Sequence, residues 1–232
     1  MASVPVEKEL FIVGVTKMRH GVCVGGIDPA TFEWVRPVKA FGELQVEDLG
    51  PPGNPFQMGD IVRFSFACHR PDPPHVEDWV WDPTEFPPIV LRRPDEEERE
   101  RILGRHCEAD PSPVLESGER SMFLTRAERI EASFGLSTYS GRLEARIVAP
   151  GLTDEGGFPC VDLRWRALGR ELTKRAGLPD RFCDEELRQR LGYSRLYLAI
   201  GKGRDFLGKN WPLVGAVWLV PDYQTRIDYS DL

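Results

Sequence analysis

The chain has little of what marks a membrane, secreted or metal-built protein. No run of eighteen apolar residues occurs, so a transmembrane helix is not expected. The opening residues, MASVPVEKELFIVG, lack the basic start and apolar stretch of a secretory leader. A cytoplasmic protein is therefore expected. Cysteine is sparse: five residues, an odd number at irregular spacing, which read as reduced thiols rather than a disulfide framework. Histidine is sparser still, at four. Cys68-His69 and His106-Cys107 are adjacent doublets with His75 between them, and no CxxC pair exists. Neighbours on a strand face opposite ways, so each doublet offers one ligand where zinc needs four. No metal and no cofactor is expected.

Basic charge is also in deficit. The net charge of −7 argues against nonspecific attraction to nucleic acid. The deficit is uneven, with 12 Lys and Arg against 20 Asp and Glu in residues 1–110, but 18 against 17 in residues 111–232. Within 163–210 the balance reverses to 12 basic against 6 acidic. Cationic surface is thus expected in the second half, while the acidic run Asp95 to Glu100 reads as a solvated face.

What is present fits a globular, β-rich chain. Hydrophobic residues make up 41% and charged residues 29%, and 22 glycines with 20 prolines suit many short strands joined by turns. Strands are expected at Leu10–Thr16, Val22–Ile27, Phe32–Pro37 and Gly59–Ala67, the last alternating with Val62, Phe64 and Phe66 on one face. A helix is expected over Pro94–Leu103, with proline at its start and acidic residues in its first turn. Residues 104–119, rich in Pro, Gly and Ser, read as a linker. Further strands are expected at Ser121–Thr125, Ile130–Thr138, Leu143–Ala149, Pro159–Trp165, Arg195–Ile200 and Leu213–Val220. Helices are expected at Asp184–Leu191 and over Ala167–Ala176. Each half offers about five short strands with one or two helices. Such a count fits a five-stranded oligonucleotide/oligosaccharide-binding (OB) barrel used twice, in residues 1–110 and 111–232, with a single larger barrel as the competitor. The fold class is mainly β with a few helices, as two small OB-like barrels in tandem.

Several blocks stand out together: Lys17-Met-Arg19, Gly25-Gly-Ile-Asp28, Trp34-Val-Arg-Pro37, Gly59-Asp-Ile-Val62 and His75-Val-Glu-Asp-Trp79. Later come Asp162-Leu-Arg-Trp165, Tyr197-Leu-Ala-Ile-Gly201 and Trp211-Pro-Leu-Val-Gly215. In these blocks the sequence resembles the dual OB domain family, bacterial proteins of two fused OB-like barrels. The resemblance implies the fold and a role in nucleic-acid binding.

The same blocks supply the candidate ligand-binding residues. Lys17 and Arg19 sit at one hairpin end, and Asp28 follows two glycines that permit close approach of a ligand. Trp34 and Arg36 share parity, so they point to one face of their strand. An exposed Trp beside an Arg makes a stacking platform with a phosphate contact. The competing reading is a core Trp whose neighbouring Arg covers a barrel edge. His75 to Trp79 combines an imidazole, two carboxylates and an indole; it reads either as acid–base machinery or as a loop anchored by a buried Trp79. Gly201-Lys-Gly-Arg204 lacks the spacing of a phosphate-binding loop. It reads as a basic loop in which Lys202, Arg204 and Lys209 gather beside Trp211. Asp162, Arg164 and Arg166 share parity and so line one face of an expected strand.

No nucleophile stands in an identifiable motif, and no catalytic residue is assigned. The leading expectation is a noncatalytic nucleic-acid-binding module for single-stranded or structured RNA or DNA. The alternative is a sensor or adaptor taking a nucleotide-like small molecule or a protein partner. A third is a nuclease or hydrolase using His75 with Glu77, Asp78 or Asp162, which would need carboxylates converging on a metal.

Overall fold

A computed structural model describes residues 4–117, 120–138, 140–174, 180–206 and 209–229, the side chains of 204–206 and 209 excepted. The chain opens with β1 (Val6–Lys17), β2 (Val22–Ile27) and β3 (Trp34–Val38), then β4 (Ile61–His69), β5 (Asp78–Trp81) and β6 (Ile89–Arg92). Helix α1 (Glu96–Arg105), strand β7 (Cys107–Glu108) and helix α2 (Ser112–Ser117) lead into β8 (Met122–Ala127), β9 (Glu131–Leu136), β10 (Leu143–Val148) and β11 (Phe158–Cys160). The chain ends with α3 (Leu163–Thr173), β12 (Asp180–Phe182), α4 (Asp184–Leu191), β13 (Arg195–Phe206) and β14 (Lys209–Val220). Among the described residues no helix is long and apolar enough to cross a membrane.

The first sheet runs β1-β2-β3-β5-β4-β6, and β1 also pairs with β4, which closes five strands into a barrel. Strand β1 manages both partners by changing allegiance along its length. Its first half pairs with β4 (Leu10 opposite Val62), its second half with β2 (Lys17 opposite Val22), with a register shift between Ile12 and Gly14. A bulge of this kind bends the strand around a barrel corner. The second sheet runs β12-β9-β10-β11-β14-β13-β8-β7. A closed barrel followed by a second antiparallel-rich sheet is a mainly β architecture of two OB-like units in tandem.

Strands β13 and β14 carry apolar side chains on both faces, and the structure explains why. Tyr197, Ala199, Ala216 and Trp218 join the core that holds Leu10, Phe11 and Phe64 of the first barrel. Leu196, Leu198, Ile200 and Val217 point the other way, into the core around Ile130, Phe134 and Trp165. The hairpin is thus a wall between two interiors, and a strand buried on both sides has no polar face.

Three expectations need correction. The stretch Pro159–Trp165 is not one strand: β11 stops at Cys160 and α3 starts at Leu163. The Asp162 carboxylate accepts the Arg164 and Trp165 amides at 2.8 and 3.1 Å, capping the helix and overriding the strand-like pattern. Residues 201–204 are not a loop but part of β13, which with β14 extends beyond the expected ends as one long hairpin. Residues 104–119 are more than a linker, since they contain β7 and α2, and β7 pairs with β8. Helix α1 begins at Glu96, capped by Asp95, whose side chain accepts the Glu98 amide at 2.8 Å.

Candidate functional site

Where the two units meet, the end of β1 enters the second unit. Lys17 donates its amide to Val161 O at 2.9 Å, and the Trp218 indole donates to Val13 O at 2.9 Å. Close approach here depends on glycine. A Cβ at Gly14 would stand 3.0 Å from Gly215 O, backbone against backbone. Around this seam lies a cavity of about 140 Å³, walled by β1, β2 and β3 on one side and by β8, β13 and β14 on the other. Its apolar lining includes Met18, Met122, Ile200 and Leu213. A larger cleft of about 770 Å³ shares Met18, Cys23, Arg36 and His75 with the cavity and opens outward past Lys39, Gly42 and Arg70.

Five of the expected site residues converge on this cavity: Lys17, Trp34, Arg36, His75 and Lys202. They come from β1, β3, the segment before β5, and β13: pairing within the first barrel gathers the first four, and docking of the second unit adds Lys202. Trp34 is 9% exposed and belongs to the first core, so it is a wall of the cavity and not an open stacking platform. Arg36 lies opposite Asp78 in the parallel β3–β5 register. The two form a fork of 2.5 and 2.8 Å bonds. Burial works against the Arg36 charge, but the bonds to Asp78 together with the acidic groups of Cys23, Asp78 and Glu77 outweigh it and raise the guanidinium above its usual value. Burial pushes the adjacent Cys23 thiol up, with Arg36 opposing. It pulls the Lys202 ammonium down, with Glu77 opposing. Lys202 makes no ion pair among the described residues, so its charge faces the cavity uncompensated by contact.

The other expected residues lie elsewhere. Arg19 is exposed in the turn after β1 and does not line the cavity. Asp28 caps a turn, accepting the Ala30 and Thr31 amides at 2.9 and 3.3 Å. Trp79 is on β5, half-buried rather than a buried loop anchor, with Lys8 Nζ 4.5 Å above its ring and His69 stacked beside it. The buried neighbour is Trp81. Asp162 is fully buried; besides capping α3 it accepts the Val217 amide at 2.8 Å. Burial pushes its carboxyl up, opposed by Arg164 and by its three amide donors. Arg164 is a buried helix residue between the Trp218 and Tyr223 rings, at 4.5 and 4.4 Å, and pairs with Asp222 at 3.1 Å. It therefore shares no strand face with Asp162. Trp211 is 54% exposed on β14, outside both lining sets. The Arg204 side chain lies outside the described residues.

The residue that sequence reasoning undervalued is Glu77. It is buried and accepts three bonds from the second unit: Ser121 N at 2.6 Å, Ser121 Oγ at 2.9 Å and Met122 N at 3.2 Å. Ser121 lines the cavity, and its carbonyl accepts the Lys202 amide at 2.8 Å. One carboxylate thus ties both units to the cavity floor. Only the presence of two adjacent carboxylates before an aromatic strand hinted at it. The carboxylates considered for a nuclease do not converge: Glu77 holds Ser121, Asp78 holds Arg36, and Asp162 holds backbone amides. Among the described residues no three His, Cys, Asp or Glu side chains gather as a metal site requires.

Glycine also sets the cavity's size. A Cβ at Gly25 would crowd only the flexible Met122 thioether, at 3.1 Å, and would stand in ordinary contact with the Trp34 ring at 4.0 Å. Gly25→Ala is therefore expected to cost less than about 1 kcal/mol of stability while narrowing the cavity. Thermal denaturation checks the first part, and a fall in occupancy by any cavity ligand checks the second.

The dual OB-containing domain family matches residues 8–140, more than half of the chain. The matched segment spans the first barrel, α1, α2 and the strands β8 and β9. No curated protein and no solved structure matches the chain. The closed barrel, the second sheet behind it and the match across their junction lead to one conclusion: the chain belongs to the dual OB-containing domain family.

Proposed function

We propose that the chain is a noncatalytic binding module for single-stranded nucleic acid, received at the junction of residues 1–110 and 111–232. The observation that carries this reading is the cavity itself. Lys17, Trp34, Arg36, His75 and Lys202, scattered in sequence, line one small pocket whose remaining wall is mainly apolar. An unstacked base is flat, apolar on its faces and polar at its edges, which matches that lining. Lys17 and Lys202 would meet the attached phosphate, and the strand would leave through the outer cleft. OB-like barrels serve as binding modules, and bases held against aromatic walls contribute about 1–3 kcal/mol each.

With an overall charge of −7, affinity should be modest and fall steeply with salt. Lys202→Ala should weaken binding of a labelled single-stranded oligonucleotide roughly tenfold and reduce the salt slope by about one ion. Anisotropy titration in low salt measures both. A wild-type protein that binds no oligonucleotide at tens of micromolar rules the reading out.

A second reading, a nucleotide-like small ligand, is favoured by the carboxylates Glu43, Asp72 and Asp78 in the outer cleft, which interrupt any phosphate track. Thermal-shift measurements separate the two. A mononucleotide that raises the melting point, with oligonucleotides inactive, selects the second.

A further inference from the structure

The aromatic platform expected of Trp34 has a better candidate that the sequence did not single out. Phe41 is 90% exposed, in the segment after β3, and its neighbours Lys39, Gly42 and Glu43 line the outer cleft. A bare aromatic ring at a cleft rim is costly in water, since burying such a side chain is favourable. The segment holding it is nonetheless firmly tied. Arg70 donates to Lys39 O and Ala40 O, both at 3.2 Å. Lys39 pairs with Asp48 at 3.0 Å, and Glu43 accepts the His20 amide at 3.2 Å. Arg70 is itself exposed and cleft-lining, and it donates to neutral carbonyls; its guanidinium makes no ion pair among the described residues. The other two cations of the cleft are neutralised, Arg36 by Asp78 and Lys39 by Asp48.

We propose that Phe41 and Arg70 form a second subsite at the cleft mouth, where the ring stacks a base and the guanidinium meets its phosphate. This rests on the single-strand reading above and names the residues that would extend it beyond one nucleotide. The fixed loop presents ring and charge together, so little ordering is needed when a base arrives. The complementarity is specific to a ligand that alternates flat apolar groups with negative charges. An acidic peptide without aromatic rings would use only Arg70.

The test is binding of labelled oligothymidylate to the full chain at low salt, with wild type, Phe41→Ala, Phe41→Trp, Arg70→Gln and Lys202→Ala compared. Phe41→Ala should weaken binding about tenfold with an unchanged melting temperature, because the ring touches little of the fold. Phe41→Trp should retain or strengthen binding. Arg70→Gln should weaken it and flatten the salt dependence by about one ion. If wild type binds and Lys202→Ala weakens it while Phe41→Ala and Arg70→Gln do not, the mouth subsite is wrong and the cavity reading stands. If wild type does not bind at all, both fall together. If Phe41→Ala instead abolishes self-association seen by sedimentation, with oligothymidylate affinity unchanged, the ring is a protein contact and the proposal is overturned.

Discussion

Replacing Glu77 with alanine should lower the unfolding free energy by about 3–4 kcal/mol, because it strips three donors of one shared buried acceptor. Two of those donors are backbone amides, Ser121 N and Met122 N, which have no other means of rescue than water. For a chain of this length the loss corresponds to a fall in melting temperature of roughly 10 °C. Glu77→Gln keeps one carbonyl oxygen for the Ser121 amide and should cost about half as much. Ser121→Ala removes only the hydroxyl donor and should cost about 1 kcal/mol. Combining Glu77→Ala with Ser121→Ala should cost less than the sum, since the hydroxyl has nothing left to bond. Urea titration of the four proteins measures the set. A loss below about 1 kcal/mol for Glu77→Ala would mean that the carboxylate does not hold the units together. The same variant should also weaken ligand binding, since Ser121 carries the Lys202 strand through its carbonyl.

Arg164→Ala should destabilise the chain by about 3–5 kcal/mol yet leave the binding of the remaining folded protein unchanged. The guanidinium is buried, donates to Tyr223 Oη at 2.9 Å and to Asp222 at 3.1 Å, and lies between two aromatic rings. Its removal leaves Asp222, itself mostly buried, without its cation, and forfeits two stacking contacts. Arg164→Lys keeps the charge but not the planar fork, so an intermediate loss is expected. Denaturation curves and oligonucleotide titration below the transition read the two effects separately. Weakened binding with undiminished stability would return Arg164 to the ligand site and remove its role as a packing cation.

The contrast between these residues shows where sequence reasoning stops. Trp34 and Arg36 share a strand and a parity, and both line the cavity as that parity implies. Arg164 and Asp162 share parity too, but a capped helix, not a strand, holds them, so the parity rule of strands does not apply. Exposure escaped the sequence more completely. Trp34, Trp79, Trp81 and Trp211 all sit in strand-like patterns, and only packing separates the buried Trp34 and Trp81 from the half-exposed Trp79 and the open Trp211. Phe41 drew no notice because an apolar residue between turn formers carries no periodic signal.

Local chemistry, by itself, determined the β-rich class, most strands, the helix at Asp184 and the concentration of apolar residues in the last two strands. Those features depend on neighbours a few positions apart, which share a face or a turn. Closure of the first barrel and docking of the two units decided the rest: which cations face the cavity, why β13 and β14 are buried on both sides, and how Glu77 reaches a serine far along the chain. Contacts between distant segments follow from how the barrel closes and which backbones come close enough at glycine, and no local pattern encodes that geometry.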